Sequence, residues 1–184
     1  PIILSLSNYS WNFELAYKFS TLAKQKNPNI ITIFGGPNFP VLSSERKEFL
    51  SLRPAIDFYI ENEGEVGFVE LVRKIKEYDF DVAKLKCSKE SITNCIYLIG
   101  DDLVHGDFQR ILELDKIPSP YLSGLMDKFF NFPLVPMIEA TRGCPFSCSF
   151  CADGIITKSR VVRFSSERTK QELQYIAEHV KNID

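Results

Sequence analysis

Long apolar runs are missing from this sequence: none approaches the roughly 20 residues that span a bilayer. No basic start followed by an apolar stretch and a small-residue cleavage site is visible, so no secretory leader is expected. Charge of one sign is equally scarce. With 22 basic and 24 acidic residues the net charge is −2, and bulk electrostatics give no reason to expect a nucleic-acid or anionic-membrane surface. Histidine is nearly absent, His105 and His179 alone, which leaves few nitrogen ligands for a zinc site. Internal repeats and low-complexity tracts are absent too. These absences predict a soluble, cytoplasmic globular protein with no nucleic-acid or membrane partner.

What is present fits that class. Hydrophobic residues make up 45% of the 184 and charged residues 25%, a balance that excludes a disordered chain, and fifteen Phe with seven Tyr supply a core. The length suits one domain, or one domain and part of another. The sequence starts at Pro1 and runs straight into the apolar Ile2–Ile3–Leu4, and it stops at Asp184 just after a helical pattern. Both ends read as cut from a longer polypeptide.

Residues 2–7 (IILSLS) read as a short buried strand, and Asn12 stands where it would cap a following helix. Phe13, Ala16, Phe19 and Ala23 recur at helical spacing, with Lys18 and Lys24 off that stripe, until Asn27–Pro28–Asn29 ends the pattern. Residues 30–34 (IITIF) form a second apolar strand closed by Gly35–Gly36–Pro37, so strand, helix and strand make the βαβ signature of a parallel sheet. A short helix from Ser43 to Leu52, a third strand over Ile56–Ile60 and an amphipathic helix over Glu65–Tyr78 continue it. Residues 92–109 read as a hairpin turning at Gly100–Asp101–Asp102. Pro118, Pro120 and Pro133 then mark a connector. From Val135 a new unit begins, with a strand over Pro136–Ala140 and a helix over Ser166–Val180, Glu167 early in it and His179 late. The expected organisation is an α/β domain over 1–112, a Pro-rich linker over 113–134 and the start of a second domain over 135–184.

Five cysteines divide unevenly: Cys87 and Cys95 stand alone, read as structural, while Cys144, Cys148 and Cys151 fall within eight residues. A tight odd set points to metal binding in a reducing compartment rather than to disulfides. Thiolates are the ligands of choice for iron–sulfur clusters, and a 4Fe–4S centre that only carries electrons takes four. Three local thiolates leave one iron open to another molecule. Arg142 beside them is suited to offset the charge of a thiolate-ligated cluster. A zinc site of three Cys and one His is the competing reading, although no second Cys pair is present.

The segment TRGCPFSCSFC (141–151) resembles the CxxxCxxC loop of radical S-adenosylmethionine (SAM) enzymes, including the Arg-Gly before the first Cys and Phe150 before the third. The stretches PIILSLSNYSWN, IFGGPNFP, RPAIDFYIENEGE and LDKIPSPYLSG are similar, in order, to radical SAM proteins with an N-terminal cobalamin-binding domain, which extends the likeness over nearly the whole chain. The resemblance implies an open parallel-sheet, Rossmann-like cobalamin-binding domain followed by the first βα unit of a truncated TIM-like barrel. It implies a 4Fe–4S cluster on Cys144, Cys148 and Cys151, with SAM on the open iron and Phe150 packed near the adenine. One-electron cleavage of SAM then yields a 5′-deoxyadenosyl radical for radical functionalisation or methylation of a small-molecule substrate, fed by a reductant such as flavodoxin or ferredoxin. Ser7, Gly35 and Gly36 would line the pocket for the cobalamin nucleotide tail, small residues at strand ends allowing close approach. An ordinary strand-ending turn is the other reading of the two glycines.

The sequence also departs from the family pattern. The histidine-bearing DxHxxG loop of many cobalamin domains does not occur, and by the resemblance it would precede Pro1. The GEGE pattern of relatives reads Asn62–Glu63–Gly64–Glu65, and Glu63 and Glu65 also fit as acids at a helix start. The later barrel strands would lie beyond Asp184, so this stretch alone is not expected to turn over. Two rivals stay open: a radical SAM protein whose N-terminal domain no longer binds cobalamin and serves as a partner or substrate platform, and a structural zinc module.

Overall fold

The computed structural model describes residues 3–151 and 159–180. Ile2, where the first expected strand begins, lies outside them. The chain divides into two compact units, Pro1–Arg110 and Ile111–Asp184. Among the described residues no helix is long and apolar enough to cross a membrane.

The first unit is a five-stranded sheet in the order β1 (Ile3–Ser7), β2 (Ile31–Gly35), β3 (Phe58–Ile60), β4 (Cys95–Ile99), β5 (Asp102–His105). The first three strands are parallel, joined through α1 (Phe13–Lys26) and α2 (Ser43–Ser51). Strand β4 pairs antiparallel with β3, and β5 pairs antiparallel with β4, as the hairpin turning at Gly100–Asp101 requires. The sheet is therefore open and mixed rather than parallel throughout.

Side-chain alternation builds a core on each face. Ile31, Ile33, Phe58, Ile60, Cys95 and Tyr97 point to the face covered by α3 (Gly64–Glu77) and α4 (Val82–Cys87), meeting Leu71, Ile75 and Leu85. Phe34, Tyr59 and Ile96 point to the other face and meet Phe13, Ala16 and Leu50 of α1 and α2. Phe34 and Tyr59 are wholly buried, which is worth about 1.5–3 kcal/mol for an apolar side chain such as Phe34. Cys95 sits inside the first core, and burial pushes its thiol well above the ordinary range. Cys87, by contrast, is exposed at the end of α4.

Two expectations for α1 are corrected. Its buried face is Phe13, Ala16 and Ser20, and Phe19 is 56% exposed. At about 100° per residue Phe19 lies with Leu15 and Leu22 on the side away from the sheet, all three exposed. Asn12 occupies the N-cap position, yet its side chain makes no capping bond. Instead its Oδ1 accepts from the Tyr9 amide at 2.8 Å and its Nδ2 donates to Ser7 Oγ at 2.9 Å.

In the second unit, two short 3-10 turns, Leu114–Lys116 and Asp127–Asn131, precede a two-stranded ladder of β6 (Thr141–Arg142) with β7 (Val162–Arg163) and then α5 (Ser166–His179). Ser165 caps α5, its Oγ accepting from the Arg168 amide at 3.1 Å. The strand expected over Pro136–Ala140 forms no ladder; pairing begins only at Thr141, where β7 supplies a neighbour.

Candidate functional site

Parallel strands β1, β2 and β3 end side by side, with Ser7 opposite Gly35 and Gly35 opposite Ile60. In open α/β sheets ligands bind outside such carboxyl ends. The structure thus brings Ser7, Gly35 and Gly36 to one edge. Ser7 is exposed there, its hydroxyl accepting from Asn12.

The glycines are tightly fitted. Gly36 has φ +128°, and a Cβ on it would stand 2.5 Å from the Asn8 carbonyl oxygen; one on Gly35 would stand 3.1 Å from that of Ile60. Contacts within the chain account for both residues.

Beneath this edge lies a polar node whose members no periodicity argument singled out. Asn8, fully buried just after β1, donates its amide N–H to the Gly35 carbonyl at 2.6 Å. Its Nδ2 donates to the Asn38 carbonyl and to Tyr59 Oη, and its Oδ1 accepts from Asn38 Nδ2 at 3.0 Å. Tyr59 in turn donates to the Gly36 carbonyl at 2.8 Å. Burial raises the Tyr59 pKa well above the ordinary phenol range, so its hydroxyl stays a donor. The available signal was an Asn directly after Ser7 and a second, Asn38, three residues past the end of β2.

The turn that follows is clamped from the other side. Phe39 stacks on Tyr59 with ring centres 3.8 Å apart. Arg46 donates to the Pro40 carbonyl and to Glu61, each at 2.7 Å. Glu63, which fitted either the family pattern or a helix-start acid, makes no capping bond and forms a mostly buried ion pair with Arg110 at 3.3 Å. Its charge is spent joining the start of α3 to the segment after the hairpin.

The cysteines lie on a loop closed at its base by the β6–β7 ladder, in which Arg142 is opposite Val162. The Phe164 amide adds a bond to the Ala140 carbonyl at 3.1 Å. Tyr121 grips the approach to β6, its hydroxyl donating to the Met137 carbonyl at 2.7 Å and accepting from the Met137 amide at 3.0 Å. Behind the loop, Asp115 accepts from the Ser165 amide at 3.0 Å, a bond that holds its carboxyl below the usual range. Arg168 joins Glu172 at 2.8 Å and the Ile117 carbonyl at 3.1 Å.

Cys144 is half-buried at the foot of the loop, while Cys148 and Cys151 are exposed; all are free thiols. The Cys151 amide donates to the Cys148 carbonyl at 3.1 Å, so these two share one turn. Among the described residues no three His, Cys, Asp or Glu side chains converge as a ready metal site. The donor chemistry nevertheless fits an iron–sulfur cluster, with three soft thiols, two of them accessible, on one pinned loop. Phe150 is 92% exposed, free of any core duty. His179 stacks on Tyr175 with its Nδ1 2.7 Å from that residue's carbonyl, and His105 ends β5 with Nε2 3.4 Å from Ser43 Oγ.

No family model matches the chain. It is 32% identical over 97% of its length to the cobalamin-dependent radical SAM methyltransferase TokK of Streptomyces tokunonensis. It is 30% identical, again over 97%, to 2-(S-pantetheinyl)-carbapenam-3-carboxylate methyltransferase of Streptantibioticus cattleyicolor. In each case it spans 26% of the relative, so it corresponds to about a quarter of those proteins. Among solved structures, the apo form of the cobalamin-dependent S-adenosylmethionine radical enzyme OxsB matches with a TM-score of 0.69 at 20% identity, covering 97% of this chain and 23% of that one. That match carries the fold. Over nearly its whole length, then, this chain is homologous to a stretch of the cobalamin-dependent radical SAM methyltransferases, spanning about a quarter of their length.

Proposed function

We propose that this chain is part of a cobalamin-dependent radical SAM enzyme that methylates, or otherwise functionalises by radical chemistry, an unactivated carbon of a small molecule. The observation that carries the reading is the pinned loop with three free thiols, in a chain whose relatives are named for that chemistry. Cys144, Cys148 and Cys151 hold a 4Fe–4S cluster, and Phe150 packs against the adenine of SAM. Ser7, Gly35 and Gly36 line the place of the cobalamin tail at the edge of β1 and β2. Bound together, the cluster and SAM supply a 5′-deoxyadenosyl radical on one-electron reduction. A flavodoxin- or ferredoxin-type reductant in a reducing, cytoplasmic compartment suits free thiols.

A second reading keeps the radical chemistry and gives the first unit no corrinoid, leaving it a platform for a partner or substrate. The tight packing of Gly35 and Gly36 favours it, since Ile60 and Asn8 explain both glycines without a ligand.

The deciding experiment is electron paramagnetic resonance of the anaerobically reconstituted, dithionite-reduced protein, with and without SAM. A reduced 4Fe–4S signal that shifts with SAM and is lost in Cys148→Ala supports the proposal. A cluster indifferent to SAM, or zinc in its place, overturns it. Visible absorption on adding hydroxocobalamin separates the two readings: a shifted corrinoid band supports the first, and an unchanged one the second.

A further inference from the structure

Arg142 is the last ladder residue before Gly143–Cys144, two positions and so at most about 7 Å of backbone, Cα to Cα, from Cys144. Its side chain is only 16% exposed, and its Nε donates to the Glu139 carboxylate at 2.9 Å. Glu139 is 48% exposed and lies on the approach that Tyr121 grips at Met137 and Phe164 at Ala140. The backbone bearing this pair is tied on both sides. A fixed arginine at the foot of a three-thiolate loop presents positive charge to whatever the thiolates hold, and a carboxylate bonded to it takes part of that charge away.

Resting on the cluster assignment above, we infer that the Glu139–Arg142 pair sets the reduction potential of the cluster, with Glu139 a positioning residue that fixes the guanidinium and moderates its charge. Cluster potentials follow nearby net charge and hydrogen bonding. Reduction adds one electron to a group already negative, so a nearby cation raises the potential and a nearby anion lowers it. Removing Glu139's charge should raise the potential, and removing Arg142's should lower it. Losing both should leave a smaller change than either alone.

The test is a potentiometric titration of the reconstituted full chain, with mediated dithionite as the one-electron reductant and the reduced-cluster resonance as readout. Iron content and far-ultraviolet circular dichroism confirm that each variant is loaded and folded. Glu139→Gln, which keeps the shape and a hydrogen-bonding oxygen, is expected to shift the midpoint upward. Arg142→Gln is expected to shift it downward, and Arg142→Lys to stay near the wild-type value. Unchanged midpoints in loaded Glu139→Gln and Arg142→Gln, or shifts of the same sign in both, overturn the inference. A wild-type chain that takes up no cluster overturns the assignment beneath it, an outcome seen before any variant is compared.

Discussion

Asn8 and Tyr59, fifty-one positions apart, meet in a buried hydrogen bond, Nδ2 of the asparagine donating to the phenol oxygen at 3.0 Å. The phenol donates its own O–H to the Gly36 carbonyl, so one side chain from β3 fastens the ends of both β1 and β2. The strand edge proposed for cobalamin is thereby cross-linked by the chain's own side chains. Its shape is set by groups that face inward, and Ser7 is left outward.

Breaking that relationship should loosen the edge measurably. Tyr59→Phe deletes the donor to Gly36 and the acceptor for Asn8, leaving buried polar groups short of a partner, at a cost of about 1–3 kcal/mol. Asn8→Ala should cost at least as much, since Asn38 loses its partners too. Urea unfolding followed by circular dichroism reads both. A midpoint unchanged in either variant would show that the node contributes nothing.

The same burial predicts alkaline sensitivity. Cys95, Tyr59 and Tyr97 are all raised by burial, Tyr97 to about 12, so each must stay protonated in the fold. Unfolded, the thiol ionises near 9.0 and the phenols near 10.0. Above those values the unfolded chain binds fewer protons than the folded one, and stability must fall as pH rises. It is fully present below about pH 9 and declines from there upward. The slope of the urea midpoint between pH 8 and 11 should flatten in Cys95→Ala and in Tyr59→Phe; an unaltered slope in both would disprove the attribution.

Helix α1 provides a sharper contrast, because two phenylalanines six positions apart have opposite fates. Phe13 packs on Phe34 and Phe49, whereas Phe19 is exposed. Phe13→Ala should cost about 3–5 kcal/mol, and Phe19→Ala should stay within about 0.5 kcal/mol. Equal losses in urea would contradict the orientation of the helix.

That contrast also marks where the sequence was legible. Strands β1 and β2 run out into Ser7 and Gly35–Gly36, and β2 and β3 are apolar and buried, as strands inside a parallel sheet are. The hairpin announced itself through Gly100–Asp101. The facing of α1 did not, because apolar residues occur on both its sides and periodicity cannot tell which one meets the sheet. Helix α4, six residues long, is too short to show a period. The Asn8–Tyr59 bond and the Glu63–Arg110 pair join residues far apart in the chain, and no local pattern encodes them. The cysteine spacing was plain from sequence, while its anchoring by Tyr121 and by β7 was not.

The anchoring bears on how the three thiols should behave. Cys144 sits half-buried at the ladder, whereas Cys148 and Cys151 share an exposed turn. If they are the ligands, Cys144→Ala, Cys148→Ala and Cys151→Ala should each lose nearly all reconstituted iron and the visible iron–sulfur absorption. Cys87→Ala should keep both, since that thiol ends α4 in the first unit. Cys95→Ala should also keep the iron while losing stability, because its thiol fills the core behind β4. Tyr121→Phe is the more searching variant. It removes the clasp on Met137 and no ligand, so iron should still bind, with a reduced-state resonance broadened by a less fixed loop. An unbroadened resonance in Tyr121→Phe would mean that the ladder alone holds the thiols in place.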